Sequence, residues 1–254
     1  MSTAIKSPAL PREATDFRRL KSSLWAVTAA LRPMLLGYWI VMVVALFFGG
    51  LLLQLLVDGV SSSAWDYGTQ SPKYFSMALG VTVAPACFAL LVTQGITRRM
   101  FSVAAGIYLI GAAAASALLW VLMYQGERLL YSAAGWPDKL TNNHLFTDTT
   151  QAGLIFAEFF LLILSHEVAG WLVGIAFLRF GSWRGIMMLP LALLPAVAAE
   201  FLLVAQWLAD GLDNLGYQRP PLAVAVPSVV LASALGLYAG YRMLLPMAVK
   251  PPKG

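Results

Sequence analysis

The chain has 254 residues, 59% apolar and only 11% charged, with a mean hydropathy of +0.75 and a formal net charge of +5. Soluble domains average about 25% charged residues, so the composition excludes a water-soluble fold and points to a helical membrane protein. The single cysteine, Cys87, lies inside an apolar run, so an intrachain disulfide and a cysteine-based metal cluster are both excluded.

In chain order, Lys6, Arg12, Arg18, Arg19 and Lys21 precede the first long apolar run, and no small-residue cleavage site follows that run. It is expected to be retained as a span. Just before it, Phe17, Leu20, Leu24, Val27 and Leu31 recur at spacings of three and four, with Arg18, Arg19, Lys21, Ser22 and Ser23 on other faces. This pattern predicts an amphipathic helix lying in the inner interface, with a plain basic anchor as the alternative. Pro33 is expected to break it and let the chain turn into the bilayer.

Six apolar runs follow, at 34–57, 74–93, 101–124, 152–178, 186–207 and 222–241, each near the roughly 20 residues that cross a bilayer. The predicted fold is all-α: a cytoplasmic tail and connecting helix over 1–33, a six-span domain over 34–245, and a cytoplasmic tail over 246–254. Thirteen of the seventeen Lys and Arg fall on one side of this scheme, leaving only Lys73, Arg128, Lys139 and Arg219 on the other. The positive-inside rule puts the thirteen, and both termini, in the cytoplasm. Asp58, Asp66, Glu127, Asp138, Asp148, Asp210 and Asp213 all fall outside, so the basic charge reports topology and not nucleic-acid binding.

The first three runs hold no Asp, Glu, Lys or Arg, whereas the fourth holds Glu158, His166 and Glu167 and the fifth holds Glu200. A charge at the bilayer centre costs about 2.5–3.5 kcal/mol on insertion scales, so these residues are candidates for a substrate or proton path. A helical rise puts Glu158 roughly 9 Å and Glu200 roughly 10 Å below the outer surface, which predicts that they are level and face a shared cavity. His166 would lie roughly 21 Å down, and Glu167 falls on the face opposite Glu158. The alternative for each acid is a protonated group hydrogen-bonded to a neighbouring helix, and for His166 a packing role. Gly170 with Gly174, and Gly236 with Gly240, form small-xxx-small pairs that allow close helix approach.

The short link Gln94, Gly95, Ile96, Thr97, Arg98, Arg99 between the second and third runs predicts a tight basic knob, suited to docking a cytoplasmic partner or to anchoring at anionic headgroups. His166 and Glu167 begin like a zinc-protease HExxH motif, but Gly170 stands where the second histidine belongs. No GxxxxGK[ST] phosphate loop occurs, so the chain is not expected to be an enzyme or to hydrolyse ATP itself, and no metal or cofactor of its own is expected.

The stretch Gly95 to Arg99 (GITRR) followed by Met100 and Phe101, then Glu127, Gly135 with Trp136, Leu145 with Phe146, and Arg179, Phe180, Gly181, resembles the pattern of ABC-type exporter permeases of the type two class, specifically small bacterial stand-alone permeases. The resemblance spans nearly the whole chain. It implies a bacterial inner-membrane homodimer or close heterodimer of permeases in contact with membrane lipids, and two separate cytoplasmic ATPase subunits that bind ATP and Mg. It also implies that Gln94 to Arg99 is the coupling element and that the stretch from about Phe17 to Arg32 is a connecting helix. It leaves the substrate open. A proton-coupled secondary transporter using Glu158, His166, Glu167 or Glu200, and a non-transporting anchor or sensor, are the competing readings.

Overall fold

The computed structural model describes residues 12–57, 62–206, 211–212 and 214–248, with side chains from Asp16. Its helices are α1 (Arg12–Leu56), α2 (Ala64–Tyr67), α3 (Gln70–Thr93), α4 (Arg98–Ala134), α5 (Ala152–Ala192), α6 (Leu194–Leu203) and α7 (Leu222–Leu244). Among the described residues there is no strand beyond one isolated bridge between Ser62 and Lys139. Five helical stretches are long and apolar enough to cross a membrane: Asp16–Leu56, Gln70–Thr93, Arg98–Ala134, Ala152–Leu203 and Leu222–Leu244. The chain is a helical membrane protein. The outer end of the fifth predicted run at Trp207, the acids Asp58, Asp210 and Asp213, and the first 11 and last 6 residues lie outside the described residues.

The expected break at Pro33 is absent, because α1 runs continuously through it. Proline removes one intrahelical bond, but a helix can absorb that loss when neighbouring groups re-satisfy the freed carbonyl. The amphipathic stripe before it is partly used. Val27 and Leu31 are buried with Leu24 half-buried beside them, whereas Phe17 is 69% exposed.

The fourth apolar stretch, Ala152–Leu203, is 52 residues long. As one straight helix it would span about 78 Å, far beyond a hydrocarbon core of about 30 Å. Gly181 resolves this. Its φ of 77° and ψ of −174° break the helix where only glycine is comfortable, and a β-carbon on Gly185 would lie 2.8 Å from the Phe177 ring. The chain therefore doubles back, and 182–203 runs antiparallel to 152–180, with Glu200 beside His166 and Gln206 beside Glu158.

Glycines set the tightest packing. A β-carbon on Gly170 or Gly174 of α5 would collide with the Met77 or Val81 carbonyl of α3, and one on Gly80 with the Glu167 carbonyl. Gly236 and Gly240 of α7 likewise receive Val168, Pro195 and the Trp171 ring. The small-xxx-small pairs thus seat α5 between α3 and α7, close enough for backbone contact on the α3 side.

The connections gather at two opposite ends. At one, Ser63 N donates to Lys139 O, Asn142 Nδ2 donates to Asp66 O, and Gln206 N donates to Asn143 O. At the other, Arg98 Nε donates to Met247 O and Arg179 Nη1 to Met243 O, while Val27, Leu31, Leu91, Phe101, Leu244 and Met247 share one apolar cluster.

Candidate functional site

The first of these ends is built around Asp66 and His144, neither of which carries an apolar-run signal in the sequence. Ser63 caps α2, accepting from Asp66 N, and donates to Glu127 Oε2 at 2.5 Å. Glu127 Oε1 also accepts from Ala64 N at 2.7 Å, so α4 fixes the start of α2. Asp66, fully buried, accepts from Thr141 N, Thr141 Oγ1 and Asn142 N at Oδ2, and from Tyr124 Oη at Oδ1.

His144 lies between two carboxylates: Nε2 is 2.6 Å from Asp66 Oδ1 and Nδ1 is 2.8 Å from Glu158 Oε1. Glu158 Oε2 accepts from Leu145 N at 2.7 Å, and Gln206 Nε2 reaches Oε1 at 3.4 Å. A neutral imidazole donates from only one nitrogen. Asp66 also accepts from Thr141, Asn142 and Tyr124 and is held as the carboxylate, and both ring nitrogens of His144 face carboxyl oxygens, so His144 is the imidazolium that joins the two groups. Burial acts to lower the pKa of His144, but hydrogen bonds and charges from Asp66 and Glu158 outweigh it and lift it from 6.5 to about 9. Burial likewise acts to raise Asp66, and His144 with Thr141 overcomes it, holding the carboxyl well below the usual range. Phe146 stacks on the His144 ring at 4.3 Å, shielding the assembly.

A second group lies deeper. Lys73 Nζ of α3 is 2.5 Å from Glu200 Oε1 of α6, and His166 Nε2 of α5 is 3.4 Å from the same oxygen. His166 Nδ1 donates to Leu162 O at 2.7 Å, which fixes the ring and presents Nε2 to Glu200. Lys73 also lies within electrostatic range of Glu158, while Glu200 Oε2 is buried and takes no hydrogen bond. The expected level pairing of Glu158 and Glu200 is corrected here. Glu158 faces Gln206, and Glu200 faces His166, about 12 Å further along α5 at 1.5 Å per residue. The sequence places the two acids by distance from run ends, but α6 stops at Leu203 while α5 begins at Ala152, and the connection after α6 dips back to reach Glu158.

Glu167 belongs to neither group. It is fully buried, and Ser76 of α3 is the polar side chain beside its carboxyl group.

At the opposite end, α3 closes with Gly95 N bonding Val92 O and Ile96 N bonding Leu91 O, and Gly95 takes φ 86°. This is a glycine-terminated helix end. Thr97 then caps α4, its Oγ1 accepting from Met100 N. Gln94, Gly95, Thr97 and Arg99 are exposed, whereas Arg98 and Ile96 are half-buried. The two arginines of the predicted knob thus differ: Arg98 holds the chain's last described turn and only Arg99 is free to face outward.

Lys73, Asp66, His144, Gln70 and Gln206 escape a reading of apolar runs because they lie at run ends or in connections. The one available signal is that Lys73 is the lone lysine abutting an otherwise uncharged run. Among the described residues no group of His, Cys, Asp or Glu is arranged to hold a metal ion. In comparisons with known proteins, no family model matches the chain, and no curated protein or solved structure matches it.

Proposed function

We propose that this chain is the transmembrane subunit of an ATP-driven exporter. It crosses a bacterial inner membrane six times with both termini in the cytoplasm, and two copies form the substrate path. Separate ATPase subunits, which bind ATP and Mg, couple through Gln94 to Arg99. The observation that carries this reading is the α3–α4 turn. It is short, basic and outward-facing, and it sits beside the amphipathic part of α1 and the end of α7, where a partner's movement would reach three helices at once. The reversal at Gly181 supports a sixth crossing, and the gathering of alternate connections at opposite ends supports termini on one side. α1 leaves Ile40, Val44, Phe47, Phe48 and Leu52 exposed, an apolar surface that suits lipid or a second copy.

The test is affinity purification of the tagged chain from its native membranes in mild detergent, with mass spectrometry of what accompanies it. A stoichiometric ATPase bearing a phosphate loop is expected with the wild type and is lost with R99E, since like-charge juxtaposition at an interface costs several kcal/mol. Reproducible absence of an ATPase from the wild type refutes the proposal.

A second reading, a proton-coupled transporter, is favoured by one observation: His166 Nε2 aimed at Glu200, a place where a proton can be held inside the bundle. Transport driven by a pH gradient in proteoliposomes holding only this chain would select it.

A further inference from the structure

α3 packs against α5, α1 and α4, and α6 packs against α5 and α7. Across the space between α3 and α6 the polar links are side chains: Lys73 to Glu200, and Gln70 Nε2 to Gln206 Oε1 at 3.0 Å just beyond the end of α6. α5 forms the floor, presenting His166 and Glu158. The result is a polar clasp that holds α3 to α6 across α5. Tyr74 stands at its edge, 49% exposed, with Lys73 Nζ 5.4 Å from the ring centroid and His166 edge-on at 5.8 Å.

The charges suit an exchange. Glu200 is 13% exposed and keeps one buried oxygen without a hydrogen bond, so its carboxylate has unused capacity. Lys73 touches Glu200 and also feels the charge of Glu158, so its ammonium keeps a favourable field when the contact is exchanged. An aromatic face beside a carboxylate recognises a cation, not an anion. An apolar tail would rest on the exposed lipid-side residues of α6, Val197 and Phe201.

We propose that Glu200 is the binding carboxylate for a membrane-partitioning primary amine, and that Lys73 is its tethered internal competitor, occupying the site until an amine displaces it. No covalent bond changes; one ammonium replaces another. The inference deepens the exporter reading by naming a substrate class, but the binding step itself needs no ATPase.

The experiment uses the full chain in lipid nanodiscs with dansylcadaverine, an alkyl primary amine carrying a fluorophore, and its N-acetylated neutral analogue as control. The wild type is expected to bind the amine saturably and the acetylated analogue not at all. K73Q is expected to bind about tenfold more tightly, because a competitor lowers apparent affinity by the fraction of time the site is occupied. The double variant K73M/E200L replaces the buried pair with apolar groups of similar volume, which is often neutral or stabilising, so it folds and loses saturable binding. Equal binding of amine and analogue, no gain in K73Q, or undiminished binding in the double variant each overturns the proposal. If an ATPase co-purifies but the amine does not bind, this inference alone fails; if the amine binds and no ATPase is found, the exporter reading alone fails.

Discussion

If His144 is an imidazolium joining Asp66 and Glu158, the stability of the fold must depend on pH in a particular window. The unfolded side chain titrates at 6.5 and the folded one at about 9. Its contribution is therefore complete below about pH 6.5, shrinks as pH rises, and is gone above about pH 9. At 1.36 kcal/mol per pKa unit the contribution is about 3 kcal/mol. For a chain of this size that corresponds to roughly 6–12 °C in Tm. Asp66 works in the opposite direction: held below the usual carboxylate range, it stabilises above about pH 4 and is lost only as pH falls through its depressed value. A stability plateau from about pH 4 to 6.5 follows. Thermal unfolding of the purified protein in detergent, read by tryptophan fluorescence across pH 4–10, measures it. H144Q leaves Asp66 and Glu158 without their shared cation, at a cost of about 3–5 kcal/mol, and removes the slope between pH 6.5 and 9. A wild-type Tm that is the same at pH 6.5 and 9, or an H144Q profile with the wild-type slope, would refute the assignment.

Other perturbations address single contacts. G170A sets a β-carbon against the Met77 carbonyl, a backbone atom that yields only if α3 and α5 separate, so Tm should fall by the equivalent of about 1–3 kcal/mol or more. G111A, with open space around it, should leave Tm unchanged or higher; equal behaviour of the two variants would count against the close α3–α5 crossing. Replacing Glu127 with alanine strands Ser63 Oγ and Ala64 N, and unfolding measurements should register about 1–3 kcal/mol of destabilisation together with loosened proteolytic protection of residues 62–69.

The apolar runs of the sequence correspond to helices because lipid-facing and buried positions are both apolar, so a run's length is legible even where its partners are not. Run ends are less legible. The third apolar run stops at 124, yet α4 extends to Ala134 and closes on Gly135 in the left-handed conformation, because Tyr124, Glu127 and Tyr131 are buried against the connections it supports. The fourth and fifth runs fall within α5 and α6, interrupted at Gly181 and Leu193, and the reversal at Gly181 depends on a backbone angle and not on hydropathy. Of the polar residues singled out, Glu200 meets His166 and Lys73, and Glu158 meets His144 and Gln206. Spacing matches neither Lys73, His144 nor Gln206 to its acid. Val204 and Gln206 take φ of 44° and 63°, a conformation a β-branched residue seldom adopts, and it is this turn that swings Gln206 back onto Glu158.

The two ends of the bundle differ in what it costs to part them. At the end holding His144, parting α2, the 135–151 connection and α5 breaks two charge-assisted hydrogen bonds between buried groups, and parting α3 from α6 breaks the Lys73–Glu200 pair as well. Breaking one buried pair costs about 3–5 kcal/mol unless each partner finds a replacement. At the end holding the α3–α4 turn, the polar ties are two arginine-to-carbonyl bonds, both half-exposed, where water substitutes readily. Motion imposed from the Arg99 side therefore displaces α3, α4 and the end of α7 at low cost, and the force is spent against the clasp above. Within the proposed exporter, an amine that takes over Glu200 lowers the cost of that opening, because the Lys73–Glu200 contact has already been exchanged when the helices part. In that proposal the Lys73–Glu200 pair is the element through which substrate and partner act on the same equilibrium.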